Sequence, residues 1–155
     1  MRLYLLRHGI ADWPNWDRPD DERPLTDKGK REMRQMAKFM RGLKPRPSVI
    51  LSSPFPRAWQ TAEIAAEFLK LTLREERDLQ KGFNVAKLRK ILGRYTKENP
   101  MLVGHNPGFV DVIRALTGAN VKLAKGGLAR VDFEDEEESG RLIWLLPPKI
   151  SKEHS

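Results

Sequence analysis

The chain contains no cysteine, which excludes disulfides, thiolate metal sites and a thiol nucleophile. Histidine is scarce, three in 155 residues. No apolar run approaches the roughly 18 residues that a membrane helix needs. The start, Met1-Arg2-Leu3-Tyr4-Leu5-Leu6-Arg7, meets a charge after a short apolar run, which does not fit a secretory signal. A cytoplasmic protein without a membrane partner is therefore expected. Acidic residues are also outnumbered, 21 Asp and Glu against 29 Lys and Arg. That excess could serve nucleic acid, but Lys30, Arg31, Arg34, Lys38 and Arg41 lie between apolar positions as a solvated helix face would. No nucleic-acid module pattern appears, so no nucleic-acid partner is expected. Steering of an anionic substrate or an acidic protein partner is the better use of the charge.

The length suits one domain, read here as residues 1–150, with a polar tail at 151–155 that includes His154. Leu3 to Leu6 is a continuous apolar run, as in a strand covered on both faces. A long connection from Ala11 to about Leu25 holds Trp13, Pro14, Trp16, Pro19 and Pro24; connections of this length are usually functional or disordered. Its two tryptophans suggest a loop that packs over something. Thr26 reads as an N-cap, and Met33, Met36, Ala37, Met40 and Leu43 follow at helical spacing.

Val49 to Leu51 reads as a second buried strand, and Pro56 as the first turn of a helix whose inner face carries Ala58, Thr61, Ala62, Ala65, Phe68 and Leu69. A short strand near Leu71–Leu73, a third helix through Val85 to Tyr95 and a strand at Met101–Val103 come next. A fourth helix begins at Pro107. The end reads as a hairpin, Ala129–Phe133 and Arg141–Leu146, about an acidic turn at Glu134–Gly140. The acidic turn lacks the spacing of a calcium loop. This alternation predicts an α/β fold, a three-layer arrangement with a mostly parallel sheet flanked by helices and a C-terminal β-hairpin.

Two of the three histidines sit where an apolar strand gives way to a glycine-containing turn, in Leu5-Leu6-Arg7-His8-Gly9 and Val103-Gly104-His105-Asn106-Pro107-Gly108. Arg7 precedes the first, and Arg57 follows the second strand through Ser52-Ser53-Pro54-Phe55-Pro56. Open α/β sheets bind ligands beyond the carboxyl ends of their strands. Two guanidiniums and two imidazoles brought to that rim suit a phosphoryl dianion, because the guanidinium fork matches phosphate oxygens and stays charged. Ser53 and its neighbours add hydroxyl and backbone donors, and the helix starting at Pro56 adds its positive end. A neutral imidazole in such a site can attack phosphorus. Phosphoryl transfer depends mainly on positioning and charge stabilisation, so this set can work without a metal or other cofactor.

These blocks, together with Pro24-Leu25-Thr26-Asp27-Lys28-Gly29 and Arg57-Ala58 with Gln60-Thr61-Ala62, resemble the signatures of the histidine phosphatase superfamily. In order and spacing they are similar to its small SixA-type branch, the phosphohistidine phosphatases. The resemblance implies a phosphoglycerate mutase-like fold, His8 as nucleophile, Arg7, Arg57 and His105 as the phosphate pocket, and no metal. Larger relatives carry an acidic residue after Arg-His-Gly and a later glutamate as proton donor. Here Ile10 follows Gly9, and the later region reads Asp78-Leu79-Gln80-Lys81-Gly82. Either Asp12 is the general acid, or the substrate needs little acid help, as a labile phosphoramidate would. Asp12 could otherwise be a loop residue ion-paired to Arg18 or Arg7. With little chain available to cover a small substrate, a phosphohistidine phosphatase acting on a protein partner is the leading expectation. A small-molecule phosphomonoesterase and a non-catalytic phosphoprotein-binding module are the alternatives.

Overall fold

Alternating side-chain direction along fully buried strands explains the layers of this protein. In a computed structural model, which describes residues 1–134 and 139–153, strand β1 (Arg2–Arg7) lies at the centre of the sheet. Successive side chains of a strand point to opposite faces. Leu3 and Leu5 accordingly join one core with Leu51, Leu102 and Ile113, while Tyr4 and Leu6 join another with Met33, Met36, Ile50 and Val103. All four residues are fully buried. A continuous apolar run is what a strand with helices on both faces requires.

The other elements are α1 (Asp27–Met40), β2 (Val49–Ser52), α2 (Pro56–Leu69), β3 (Leu73–Glu75), α3 (Val85–Leu92), β4 (Pro100–Gly104), α4 (Gly108–Thr117), β5 (Leu128–Asp132) and β6 (Arg141–Leu146). Short 3-10 helices lie at Asp20–Glu22, Arg77–Leu79 and Pro148–Glu153. Among the described residues the sheet has the order β3-β2-β4-β1-β5-β6. Its pairings from β3 across to β1 are parallel, and β5 and β6 complete it antiparallel. Helices α1 and α2 cover the Tyr4 face, and α3 and α4 cover the Leu3 face. The α/β fold with its C-terminal strand pair is the one expected.

Local chemistry sets the element ends. The Thr26 side chain accepts from Gly29 N and caps α1. Gly29 is there for lack of a side chain: a Cβ would collide with the main-chain carbonyl of Ile10. That close approach ties the start of α1 to the chain just beyond β1. Among the boundaries that differ from those expected, three have a local cause or consequence. The third strand is Leu73–Glu75, two residues later than Leu71–Leu73, because Lys70 first closes α2 in a left-handed conformation. Helix α3 stops at Leu92, and Pro107 caps α4 from outside its first turn. Ser151, expected in a polar tail, is buried and donates to Pro148 O (2.7 Å). Most of the acidic hairpin turn, residues 135–138, and His154 lie outside the described residues. Among the described residues no helix is long and apolar enough to cross a membrane.

Candidate active site

Strands β2, β4 and β1 are neighbours in the sheet and run parallel, so their carboxyl ends open on one rim. Each delivers one part of the site. Arg7 ends β1, and His8 follows with its N–H on Gly104 O (3.0 Å). His105 follows β4. Ser53 follows β2, with its N–H on Val103 O (3.0 Å), and leads into Arg57 in the first turn of α2. The sheet ladder thus carries on one residue past β1 and β2 and fixes the direction in which His8 and Ser53 leave the sheet. Their ring centroids are 5.4 Å apart, and His8, His105 and Arg57 are all at most 7% exposed. The four residues expected at one rim are brought together there.

The hydrogen bonds decide which ring nitrogen is free. His8 Nδ1 lies 2.8 Å from Gly9 O, and a carbonyl only accepts, so Nδ1 carries the proton and Nε2 holds the lone pair. The Gly9 turn is itself fixed: its N–H donates to Thr61 Oγ1 (3.1 Å), which in turn donates to Arg57 O (2.8 Å). Burial, ahead of the charges of His105, Arg57 and Arg7, lowers the His8 pKa to about 3, despite the opposing Gly9 hydrogen bond. His105 is lowered to about 4, again chiefly by burial and then by Arg57. Both rings are neutral near pH 7. His105 Nε2 pairs with Ser53 Oγ (2.7 Å), which also accepts from Phe55 N (3.2 Å), while His105 Nδ1 is buried without a partner. Ser53, expected to bind substrate, here orients His105.

The cations are held from behind. Arg7 donates from Nη1 to Leu123 O (3.0 Å), a carbonyl shared with Asn106 Nδ2 (3.1 Å). Arg57 donates from Nη1 to Asp20 O (2.8 Å) and from Nη2 to Asp20 Oδ2 (3.2 Å), and its guanidinium lies 5.6 Å from the centre of the Phe55 ring. Both arginines are lowered from the ordinary guanidinium range, mainly by burial. The Nε of Arg7 and the Nε of Arg57 are buried with no partner. Two arginines with enclosed, unpartnered donors make a site short of negative charge, which an anion would supply. Among the described residues, no three His, Cys, Asp or Glu side chains come together as a metal site would need.

Asp12 is exposed and clamped by Lys125, whose Nζ lies 2.7 and 2.9 Å from its two oxygens, with Arg23 at 3.8 Å. The hydrogen bond from Lys125 leads the causes that hold its carboxyl below the ordinary range. Its partners are thus Lys125 and Arg23, not Arg18 or Arg7. Sequence reading missed Asp20, the Arg57 partner, because an aspartate in a polar loop carries no periodic signal. It also missed the Leu123 carbonyl, a main-chain group that no side-chain pattern announces. The loop closes on itself through Trp13 Nε1 to Pro24 O (2.8 Å) and Trp16 Nε1 to Pro19 O (3.1 Å), with the two rings 6.3 Å apart.

Comparison with known proteins identifies the family. Residues 3–82 match the family model described as the histidine phosphatase superfamily (branch 1). The phosphohistidine phosphatase SixA of Escherichia coli K12 is 39% identical over 155 residues, covering 96% of this chain and 94% of that protein. A protein of uncharacterised role from Picosynechococcus is 32% identical over 165 residues, covering 95% of this chain and all of its own length. Among solved structures, a protein histidine phosphatase SixA complexed with tungstate superposes with a TM-score of 0.85 at 25% identity, covering 97% of this chain and 99% of that one. The phosphoglycerate mutase-like architecture extends to more distant phosphatases, such as a phosphoserine phosphatase from Entamoeba histolytica with a TM-score of 0.76 at 15% identity, covering 94% of this chain and 96% of that one. This chain belongs to the histidine phosphatase superfamily, branch 1, and is of the SixA type.

Proposed function

We propose that the protein is a phosphohistidine phosphatase that works without a metal, through a phosphoryl group carried on His8, and takes its substrate from a protein partner. The observation that carries this reading is the His8 tautomer. With Nδ1 held on Gly9 O, the ring is neutral and its Nε2 lone pair is available beside two arginines and His105. In the first step Nε2 bonds to phosphorus while the P–N bond to the substrate imidazole breaks. The leaving ring takes that electron pair and a solvent proton. Water then attacks the phosphoryl group on His8. The second P–N bond breaks, its electron pair returns to Nε2, and inorganic phosphate leaves with the hydroxyl and a proton from the water. Arg7, Arg57 and His105 bind the phosphoryl oxygens, and their charges and N–H groups stabilise the transition state.

Asp12 is disfavoured as the proton donor, because its pairing with Lys125 keeps it a carboxylate. An imidazole leaving group can take its proton from solvent. The chain offers little beyond the loop between β1 and α1 to cover a small substrate, which supports a phosphorylated side chain whose bulk remains outside.

Rapid-quench mass spectrometry with a phosphohistidine peptide tests the reading, using wild type beside His8→Ala. The expected result is a transient acid-labile phosphate on His8 that the variant lacks. Turnover that survives in His8→Ala would remove the covalent mechanism. Binding without turnover in wild type would leave a phosphoprotein-binding module.

A further inference from the structure

The excess positive charge of this chain is not spread evenly. Residues 27–46 hold eight Lys and Arg against two Asp and Glu, and so carry six of the eight excess charges. Most of them line one side of α1. Lys28, Arg31, Arg34, Lys38 and Arg41 recur at spacings of three or four, which places them along one helix face, and all five are exposed. Several cations elsewhere are matched with acids: Lys81 with Asp21, Lys90 with Asp78, Arg94 with Glu76, Lys125 with Asp12 and Arg130 with Asp132. Along α1 no such ion pair forms among the described residues; Arg41 instead lies over the Phe68 ring at 5.7 Å. A row of like charges at this spacing repels itself and weakens the helix. Neither the fold nor the phosphoryl site needs it.

We propose that this face of α1 docks an acidic helical surface of the protein that presents the phosphohistidine. The inference rests on the protein-phosphatase reading and names the recognition surface that reading lacks. Three observations select the partner. The row begins at the active-site end, since Lys28 precedes Gly29, which is seated on the Ile10 main chain two residues after His8. A macromolecule with a side chain in the pocket therefore lies against the start of α1. The row then runs the length of a 14-residue helix, about 21 Å at 1.5 Å per residue, a good match to one acidic helix. Finally, the exposed positions of α1 are all polar, with no apolar side chain to enter a membrane. The helix lies flat between α2 and the 3-10 helix at Pro148–Glu153, without the projection that a groove-reading helix has. Complementary charge of this kind acts mainly on encounter rate and selectivity.

The test uses a helical peptide rich in glutamate with a central histidine, and the same peptide with glutamine for glutamate. One variant carries Lys28→Gln, Arg31→Gln, Arg34→Gln, Lys38→Gln and Arg41→Gln. A control carries Arg74→Gln, Arg77→Gln, Lys90→Gln, Arg94→Gln and Arg114→Gln, which lowers the net charge equally on other elements. Binding of the unphosphorylated glutamate peptide is read by fluorescence anisotropy across a salt series. Wild type is expected to bind it at low salt, and the α1 variant about tenfold or more weaker, with a flattened salt dependence. The control should stay within about threefold of wild type, as should all three proteins on the glutamine peptide. Equal losses in both variants would overturn the proposal, because net charge alone would then explain binding. Tighter capture by α1 of duplex DNA or anionic vesicles than of the peptide would overturn it too. Adding phosphate to the peptide histidine separates the two readings: binding through α1 without turnover would refute the phosphatase reading and leave the docking face standing.

Discussion

The two buried imidazoles predict a specific weakness of the fold in mild acid. His8 and His105 have folded-state pKa values of about 3 and about 4, below the ordinary 6.5, with burial the leading cause for each. Between these values and 6.5 the unfolded chain binds protons that the folded chain does not. Stability is therefore unaffected above pH 6.5 and falls as pH drops through 6.5 toward 4. At 1.36 kcal/mol per unit, lowering the pH from 7 to 4.5 removes about 2 to 3 kcal/mol for each ring, an upper value. Carboxylates add to the acid loss, so the difference between two proteins is the quantity to measure. His8→Asn keeps an N–H for Gly9 O and cannot titrate in this range. Urea unfolding at pH 7 and 4.5, followed by tryptophan fluorescence, should show the wild-type midpoint moving further than that of the variant by about 1 M. Equal midpoint shifts in the two proteins would show that His8 is not held neutral by its surroundings, and the argument for a free Nε2 lone pair would fall with it.

Further predictions test other parts of the site. Asp20→Asn weakens the grip on Arg57 and should raise KM for a phosphohistidine peptide several-fold while leaving kcat within about threefold, since the guanidinium remains; steady-state kinetics separate the two. Asp12→Asn should leave phosphohistidine hydrolysis within a few-fold of wild type, whereas a loss of about a hundredfold would mark Asp12 as the general acid. Ser53→Ala frees His105 Nε2 and should lower affinity for tungstate, read by calorimetry, by about tenfold, the worth of one hydrogen bond to a binding group. Gly29→Ala forces a Cβ onto the Ile10 carbonyl and should destabilise the fold by about 2 kcal/mol or more in the same urea assay.

What was legible in the sequence was whatever repeats with a period or ends an apolar run. Leu3–Leu6 and Met33–Met40 announce a strand and a helix because burial imposes a period, and His8, Arg57 and His105 stand out because each lies just past such a run. Boundaries were less legible where one backbone conformation decides them. The left-handed Lys70 that delays β3 is a lysine, a residue that gives no hint of that conformation. Asp20 and the Leu123 carbonyl were invisible because their partners are brought near only by the fold, 37 and 116 residues away in the chain. Ser53 was recognised as part of the site, but its role turned on a 2.7 Å contact across two strands that spacing cannot convey.

The same distinction explains why the site is built as it is. The residues proposed to perform chemistry hang from the sheet, where strand ends fix direction; the residues that adjust charge come from the loop between β1 and α1. Asp12, Asp20 and Asp21 each meet a cation of the rim, Lys125, Arg57 and Lys81. Without them the cations around His8 would repel one another across a poorly solvated site. Asp20 shows the balance: burial raises its pKa, but its hydrogen bond to Arg23 and the charges of Arg57 and Arg23 outweigh that and hold it ionised. An aspartate on the outer edge of Arg57 leaves that residue's Nε uncommitted. The rim is thus balanced at its edge and still deficient in negative charge around Arg7 and Arg57, as the proposed phosphoryl site requires if its substrate is to bind through the same groups that later stabilise the transition state.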